Sequence, residues 1–291
     1  MGGRVLDLET GLIIDEVDHI VTKKQQYKID EYKNKVTFQN YLYHKYGDFF
    51  FYKYNDLLDD INYDMATAFR FLYVCSFCDK DGYVIAYDDY KCEEIIDFVY
   101  IFDKSVSTVN DFCKKLIDYG LLYQDYTGCY RVNENYYSHK LTDEESKKYN
   151  IRTFNRSIQE LYKRMSTKEH RLGGELMKLV PYINVYTNAL CWNVYERDPK
   201  NIEVLTKTDI QNIIRKDSDY GRKLYNQINK FTLHDEVIIS LFTGGVEEHY
   251  VMNPRIFYRG NDINDIKVLV QHFDIAKEQN KKRRMKRKND Y

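Results

Sequence analysis

Residues 105–133 read SVSTVNDFCKKLIDYGLLYQDYTGCYRVN, and this stretch decides the expected fold. Ser105 to Tyr119 predicts a helix. Gly120 stands where a helix C-cap glycine belongs, because glycine enters the left-handed conformation without a steric penalty. Leu121-Leu122-Tyr123 then opens a strand, Thr127-Gly128 turns it, and Cys129-Tyr130-Arg131-Val132 returns. Upstream, residues 64–78 (DMATAFRFLYVCSFC) form a strongly apolar helix, Gly82 to Ala86 a short strand, and Cys92 to Tyr100 a second helix. The order helix, strand, helix, turn, helix, hairpin is that of a winged helix-turn-helix.

The same order recurs downstream. Leu176 to Glu196 reads as one long helix with a kink at Pro181. Val204-Leu205 is a short strand, and Thr206 N-caps a helix from Lys207 to Ile214, with Asp209 three residues on. Arg215-Lys-Asp-Ser forms a turn and Asp219 to Phe231 the next helix. Val237 to Phe242 is a strand, Thr243-Gly244-Gly245 a wing tip, and Glu247 to Asn253 the return. Landmarks match at separations of 116 to 120 residues: Gly128 with Gly244, Ile96 with Ile213, Asn133 with Asn253. A repeated unit supports both copies. The expected fold is therefore mainly α with small β-hairpins (α+β), as tandem winged helix-turn-helix domains. The expected segments are an N-terminal arm (1–35), a first winged-helix domain (36–140), a basic linker helix (141–172), a second winged-helix domain (173–262), and a C-terminal helix with a basic tail (263–291). Within the arm, Val5–Leu8 and Leu12–Ile14 flank Thr10-Gly11 as a small hairpin.

Net charge is only −1, but it is unevenly spread. Residues 55–103 hold 12 acids and 3 bases; 147–171 hold 8 bases and 2 acids; 206–231 hold 6 bases and 3 acids; 277–288 hold 8 bases and one acid. Local positive density, more than total charge, attracts phosphates. No apolar run approaches the ~18 residues of a membrane span. The opening MGGRVLDLET lacks a signal peptide's apolar stretch, so a cytoplasmic protein with reduced cysteines is expected.

An α-helix fits the major groove, and the helix before the wing is the usual reader. In the second unit it carries Arg222, Lys223, Asn226, Gln227 and Asn229. Arginine pairs with guanine, and asparagine or glutamine with adenine. Arg215, Lys216 and Ser218 in the turn suit phosphates. Thr243, Gly244 and Gly245 let the wing approach backbone or minor groove. The basic tail (Lys281, Lys282, Arg283, Arg284, Lys286, Arg287, Lys288) and the linker bases Arg152, Arg156, Lys163 and Arg164 add salt-sensitive grip. The equivalent first-unit helix offers Ser105, Ser107, Thr108, Asn110, Lys114 and Lys115 in an acidic setting, which suits a partner protein as well as DNA.

Catalytic readings find no context. Asp7-Leu8-Glu9 resembles the first motif of two-metal exonucleases, yet no α/β continuation follows it. Cys75-x-x-Cys78 lies in an apolar helix with no second pair, so core packing is expected and no metal. Gly173-Gly174 and Gly244-Gly245 lack the Lys-Ser/Thr of a phosphate loop. A non-enzymatic protein without cofactor is expected.

Directly after the second hairpin comes Met252-Asn253-Pro254-Arg255-Ile256-Phe257-Tyr258-Arg259-Gly260. A hydrophobic–Asn-Pro-x-x-Phe-x-x-Gly element in that place resembles the RepL-like replication initiators of phages and plasmids of low-GC Gram-positive bacteria. The match covers residues 176–262, with VLDLETGLIIDE as a leader-like opening. The turn before the reader departs from the group's Gly-hydrophobic-Ser pattern. The resemblance implies a protein that binds double-stranded origin DNA and recruits a host replication protein. Arg255 and Arg259 join the expected DNA contacts, and the acidic, aromatic first half is expected to supply a homodimer or partner-protein surface. A transcription regulator, or a phage protein that binds a host protein, fits the same parts.

Overall fold

A hydrophobic core that runs from Phe50 to Phe257 organises most of the chain. The computed structural model describes residues 3–6, 13–17, 21–53, 57–58, 60–62, 64–142, 151–214, 227–228, 232–233, 236–243 and 248–289. About 50% of the chain is helical, and the strands form small antiparallel sheets of two to four strands, so the class is mixed α+β as expected. The chain divides into two units, Met1–Leu42 and Tyr43–Tyr291.

In the first unit β1 (Gly3–Leu6) pairs antiparallel with β2 (Ile13–Val17), which gives the expected hairpin. Helix α1 (Lys23–Tyr46) begins here. Its start is fixed by a reciprocal cap: the Gln25 N–H donates to Thr22 Oγ1 (3.2 Å), and the Thr22 N–H donates to Gln25 Oε1 (2.8 Å). Residues 23–35 fall in the expected N-terminal arm and are polar throughout except for Tyr27, Ile29 and Tyr32. They are helical because Lys, Gln and Glu lose little on entering a helix, although no apolar stripe marks them.

The second unit is built on a four-stranded antiparallel sheet whose strands lie far apart in sequence. Its order is β14 (Phe257–Tyr258), β9 (Arg152–Phe154), β3 (Phe49–Tyr52), β8 (Tyr137–Ser138). The middle pair registers Phe50 against Thr153 and Phe51 against Arg152. β8 pairs with β3 at one edge, and β14 with β9 at the other. Expected boundaries at 140/141 and 172/173 fall inside this unit, whose main core draws on both sides of each boundary.

Between β3 and β8 lies the first half. Helix α2 (Met65–Cys75) is buried along nearly its whole length and starts where the Asp64 carboxylate accepts the Thr67 N–H (3.1 Å). β4 (Ile85–Tyr87) and β5 (Tyr90–Lys91) form a hairpin, then comes helix α3 (Phe98–Phe102). Helix α4 (Val106–Asp118) follows, and the hairpin of β6 (Leu122–Gln124) and β7 (Tyr130–Val132) closes the series.

Between β9 and β14 lies the second half. Helix α5 (Asn155–Arg164) leads to α6 (His170–Met177). Gly173 and Gly174 of α6 let it lie directly on α2, against the Phe69 ring and the Met65 carbonyl. The expected long helix from Leu176 to Glu196 does not form. After a 3-10 turn at Val180–Tyr182 the chain becomes an irregular hairpin, with bridges Ile183–Leu190 and Cys191–Val204. Pro181 removes a donor, and Asn184 Oδ1 captures the N–H groups of Tyr186 and Thr187 (2.9 and 3.0 Å), which turns the backbone out of the helix. Asn188, at φ 54°, donates to the carbonyls of Met252 and Phe257 (both 2.9 Å). Helix α7 (Lys207–Ile214) keeps the expected cap, with Asp209 N–H on Thr206 Oγ1 (3.1 Å). Short strands β10 (Thr232–Leu233) and β11 (Glu236–Val237), the hairpin β12 (Ile239–Thr243) and β13 (Glu248–Met252), and helix α8 (Ile263–Asn289) complete the chain.

The two halves enter and leave the sheet alike. After β7, Asn133 Oδ1 accepts the Asn135 N–H (2.9 Å) and the Asn133 carbonyl accepts the Tyr136 N–H (3.1 Å). After β13, Asn253 Oδ1 accepts the Arg255 N–H (3.0 Å) and its carbonyl the Ile256 N–H (3.0 Å). Each turn feeds the strand that pairs with the opening strand of its own half. The match of Asn133 with Asn253 therefore has one geometric meaning.

Candidate nucleic-acid interface

Helix α4 and its hairpin are the best-defined surface of the expected kind. Asp103, at φ 49°, ends α3, and Ser105 caps α4 by accepting the Thr108 N–H (3.4 Å). Val109, Phe112, Cys113 and Leu116 face the core at helical spacing. Ser107, Asn110, Asp111 and Lys114 are left exposed on the outer side. Lys115 is exposed but committed, its Nζ 2.8 Å from the Asp64 carboxylate. Gly120, at φ 64°, ends the helix: Leu121 N–H reaches back to the Leu116 carbonyl (2.8 Å) and Gly120 N–H to that of Ile117 (2.8 Å), a Schellman arrangement.

Gly128, at φ 84°, turns the hairpin. The Asp125 carboxylate braces this tip. It takes the Thr127 hydroxyl and N–H and the Tyr83 hydroxyl (2.8 Å), and these hydrogen bonds, led by Thr127, bring its pKa down to about 2. An isolated antiparallel bridge between Tyr83 and Arg131 ties the segment before β4 to the hairpin.

A polar cleft of about 320 Å³ opens beside β7 and β8, with Lys80, Arg131, His139 and Lys140 in its wall. Arg131 Nη2 donates to the Asp81 carbonyl (2.7 Å), and the guanidinium lies 4.9 Å from the Tyr83 ring. Asp81 and Glu134 also line it. These four basic residues went unnoticed in the sequence, because they are scattered over 61 positions of an acidic region and only the pairing of β7 and β8 with their neighbours gathers them.

The second half's expected readers lie largely outside the described residues: Arg215, Lys216, Ser218, Arg222, Lys223, Asn226, Asn229, Gly244 and Gly245. Thr243 ends β12. Lys281, Lys282, Arg283, Arg284, Lys286, Arg287 and Lys288 lie on α8, so the basic tail continues the C-terminal helix. Two expected contacts are placed elsewhere. Arg259 is 3% exposed, with Nη1 on the Ile183 carbonyl (2.8 Å) and Nη2 on the Tyr195 hydroxyl (2.9 Å). Arg255 spans Glu236 (2.6 Å) and Asp274 (2.9 Å), joining β11 to α8. Both guanidiniums hold the fold together, so their spacing in the Asn-Pro motif reflects architecture.

The linker bases divide likewise. Arg152 is 8% exposed, donates to the Gly260 carbonyl (2.6 Å) and lies 5.6 Å from the ring centres of both Phe49 and Phe51; burial brings its pKa down to about 10. Arg164 pairs with Glu160 and donates to the Thr232 carbonyl (3.1 Å). Arg156 and Lys163 remain exposed on the outer side of α5, opposite the buried Ser157, Ile158, Leu161 and Tyr162.

Cys75 and Cys78 pack in the core, and burial raises both thiols well above their ordinary range. Among the described residues no group of His, Cys, Asp and Glu is placed to hold a metal ion, and no helix is long and apolar enough to cross a membrane. Comparison with protein-family models, curated proteins and solved structures finds no match for this chain.

Proposed function

We propose that the chain is a non-enzymatic, sequence-specific DNA-binding protein of two winged-helix units, acting in the host cytoplasm as a phage or plasmid replication initiator on origin DNA. One observation carries the reading. A helix with a buried apolar face and an exposed Ser107/Asn110/Lys114 face is followed at once by a glycine-capped hairpin, and the turn after that hairpin recurs at Asn253. An outward polar helix beside a hairpin is the arrangement by which such units enter a major groove and touch the flanking backbone. The Lys80/Arg131/His139/Lys140 cleft and the α5 bases Arg156 and Lys163 supply phosphate contacts. A promoter-binding regulator would use the same parts.

The test is fluorescence anisotropy on random duplex DNA and on DNA from the chain's own replicon, over a salt series. Binding whose logarithm falls linearly with log salt, and is tighter on several adjacent native sites, supports the initiator reading. Tight sites confined to promoters transfer the protein to transcription. Absence of binding at low salt overturns DNA binding altogether.

A further inference from the structure

Three tyrosines of the first half turn outward and rest on one another. Tyr87 ends β4, Tyr90 begins β5 and Tyr100 lies on α3. The Tyr87 and Tyr90 rings stack at 5.3 Å, and Tyr87 meets Tyr100 at 5.0 Å and 61°. Tyr100 is 67% exposed, and Ile96, four residues earlier in the 3-10 turn that leads into α3, is 45% exposed. The placement follows from the hairpin. Asp88 and Asp89 both have positive φ (41° and 62°), as a two-residue type I′ turn requires, so Tyr87 and Tyr90 become cross-strand partners. Contiguous exposed rings mark interaction surfaces more than solvated ones.

The rim specifies what these rings receive. Between Tyr87 and Lys104 the sequence has six acids and two bases, and Asp88, Asp89, Glu93 and Glu94 are exposed. Ring faces framed by carboxylates favour Lys and Arg side chains. The same half already makes one such contact internally, with Lys91 Nζ 3.5 Å from the Tyr83 ring centre.

The chain carries the complementary segment. Residues 281–288 (KKRRMKRK) hold seven bases and no acid, and they ride on α8. α8 is moored to the second half through Asp274 on Arg255 (2.9 Å) and Lys277 on Glu236 (3.7 Å). The eight residues of this segment extend only ~12 Å along a helix. α8 also starts from β14, at the opposite sheet edge from β8, which ends the first half. We propose that the tyrosine face of one molecule receives the basic end of α8 from a second copy. The contact is head-to-tail, so each copy offers both a donor and an acceptor surface.

The test needs no DNA and stands apart from the reading above. A fluorescein-labelled peptide of residues 279–290 is titrated into the full chain at low ionic strength, and the full chain is run by sedimentation velocity over a concentration series. A face variant combines Tyr100→Ala with Asp88→Asn and Asp89→Asn; asparagine keeps the left-handed turn, so the fold survives, which circular dichroism checks. A tail variant replaces the seven bases of 281–288 by glutamine. The expected result is peptide binding that weakens at least about tenfold in the face variant, self-association of the parent chain, and monomers for each variant alone. Mixed, the two variants should form a heterodimer and nothing larger. No peptide binding overturns the proposal. Peptide binding with a monomeric parent chain also overturns it, and gives the face to a basic segment of another protein. Self-association that persists in the face variant overturns it in favour of a different interface.

Discussion

Gly174 lies so close to Met65 that a β-carbon built on it would sit 1.9 Å from the Met65 carbonyl oxygen. Backbone, not a movable side chain, occupies that space, so α6 and α2 must separate if anything larger replaces the glycine. Gly174→Ala is expected to destabilise the chain by about 3 kcal/mol, at the upper end of overpacking penalties. A β-carbon built on Gly173 would instead meet the Phe69 ring, at 2.5 Å. Gly173→Ala should therefore be partly rescued by Phe69→Leu, whereas Gly174→Ala should not. Urea unfolding of the single and double variants measures both, and equal rescue would contradict the assignment.

The pair Arg255–Glu236 tests the structural role given to the Asn-Pro motif. Glu236 is 4% exposed and takes hydrogen bonds from Arg255 Nη1 (2.6 Å) and Asn253 Nδ2 (3.2 Å). Arg255→Ala leaves a buried carboxylate with much of its compensation gone, and about 3 kcal/mol of stability should be lost. Arg255→Met with Glu236→Gln should recover most of it, because no buried charge remains. A thermal melt that leaves Arg255→Ala unchanged would return Arg255 to the surface role expected from sequence.

His170 makes stability depend on pH. It is buried, its Nδ1 accepts from Arg70 Nε (3.3 Å), and its ring lies 4.3 Å from that of Tyr162. Burial first, and the Arg70 charge second, bring its pKa down to about 4. The unfolded chain titrates near the ordinary value of about 6.5. Between these values the unfolded state binds more protons, so stability is intact above pH ~6.5 and falls as pH drops toward ~4. The loss from this group reaches about 3 kcal/mol at most. His170→Gln keeps an acceptor for Arg70 and removes the titration. Its stability should be flatter over that interval, and an unchanged slope would assign the effect to other groups.

What could be read from sequence followed from how local each signal is. Gly120 and Gly128 punctuate residues 105–133 within single turns, and the helix and hairpin lie where those signs put them. The Asn133/Asn253 repeat was legible for the same reason. The four-stranded sheet was not. Its strands are two to four residues long, too short for alternation to show, and β3 meets β9 about a hundred residues away. Leu176–Glu196 misled because its apolar spacing imitates a helix, while Asn184 and Asn188 decide the backbone through hydrogen bonds that hydropathy does not register. Charge misled in the same way: Arg152, Arg255 and Arg259 count as bases in any window, but burial spends them on carbonyls, rings and carboxylates.

That division of the basic residues gives a direct prediction for binding. Arg156 and Lys163 are exposed on α5, whereas Arg152 is enclosed by the central sheet. Each phosphate neutralised by an exposed cation releases counterion and adds about 0.9 to the slope of log affinity against log salt. Replacing Arg156 and Lys163 by glutamine should lower that slope by about 2 and leave unfolding nearly unchanged. Arg152→Gln should do the reverse, lowering stability while the slope of the remaining folded protein stays put. Anisotropy across a salt series, paired with urea unfolding of the same preparations, separates the two. If all three substitutions change the slope alike, the charge of the 147–171 segment acts as a whole and the burial of Arg152 has no bearing on binding. If the α5 pair has no effect, the phosphate track runs instead past Arg131 and Lys140, and Arg131→Gln is the variant that should flatten the slope.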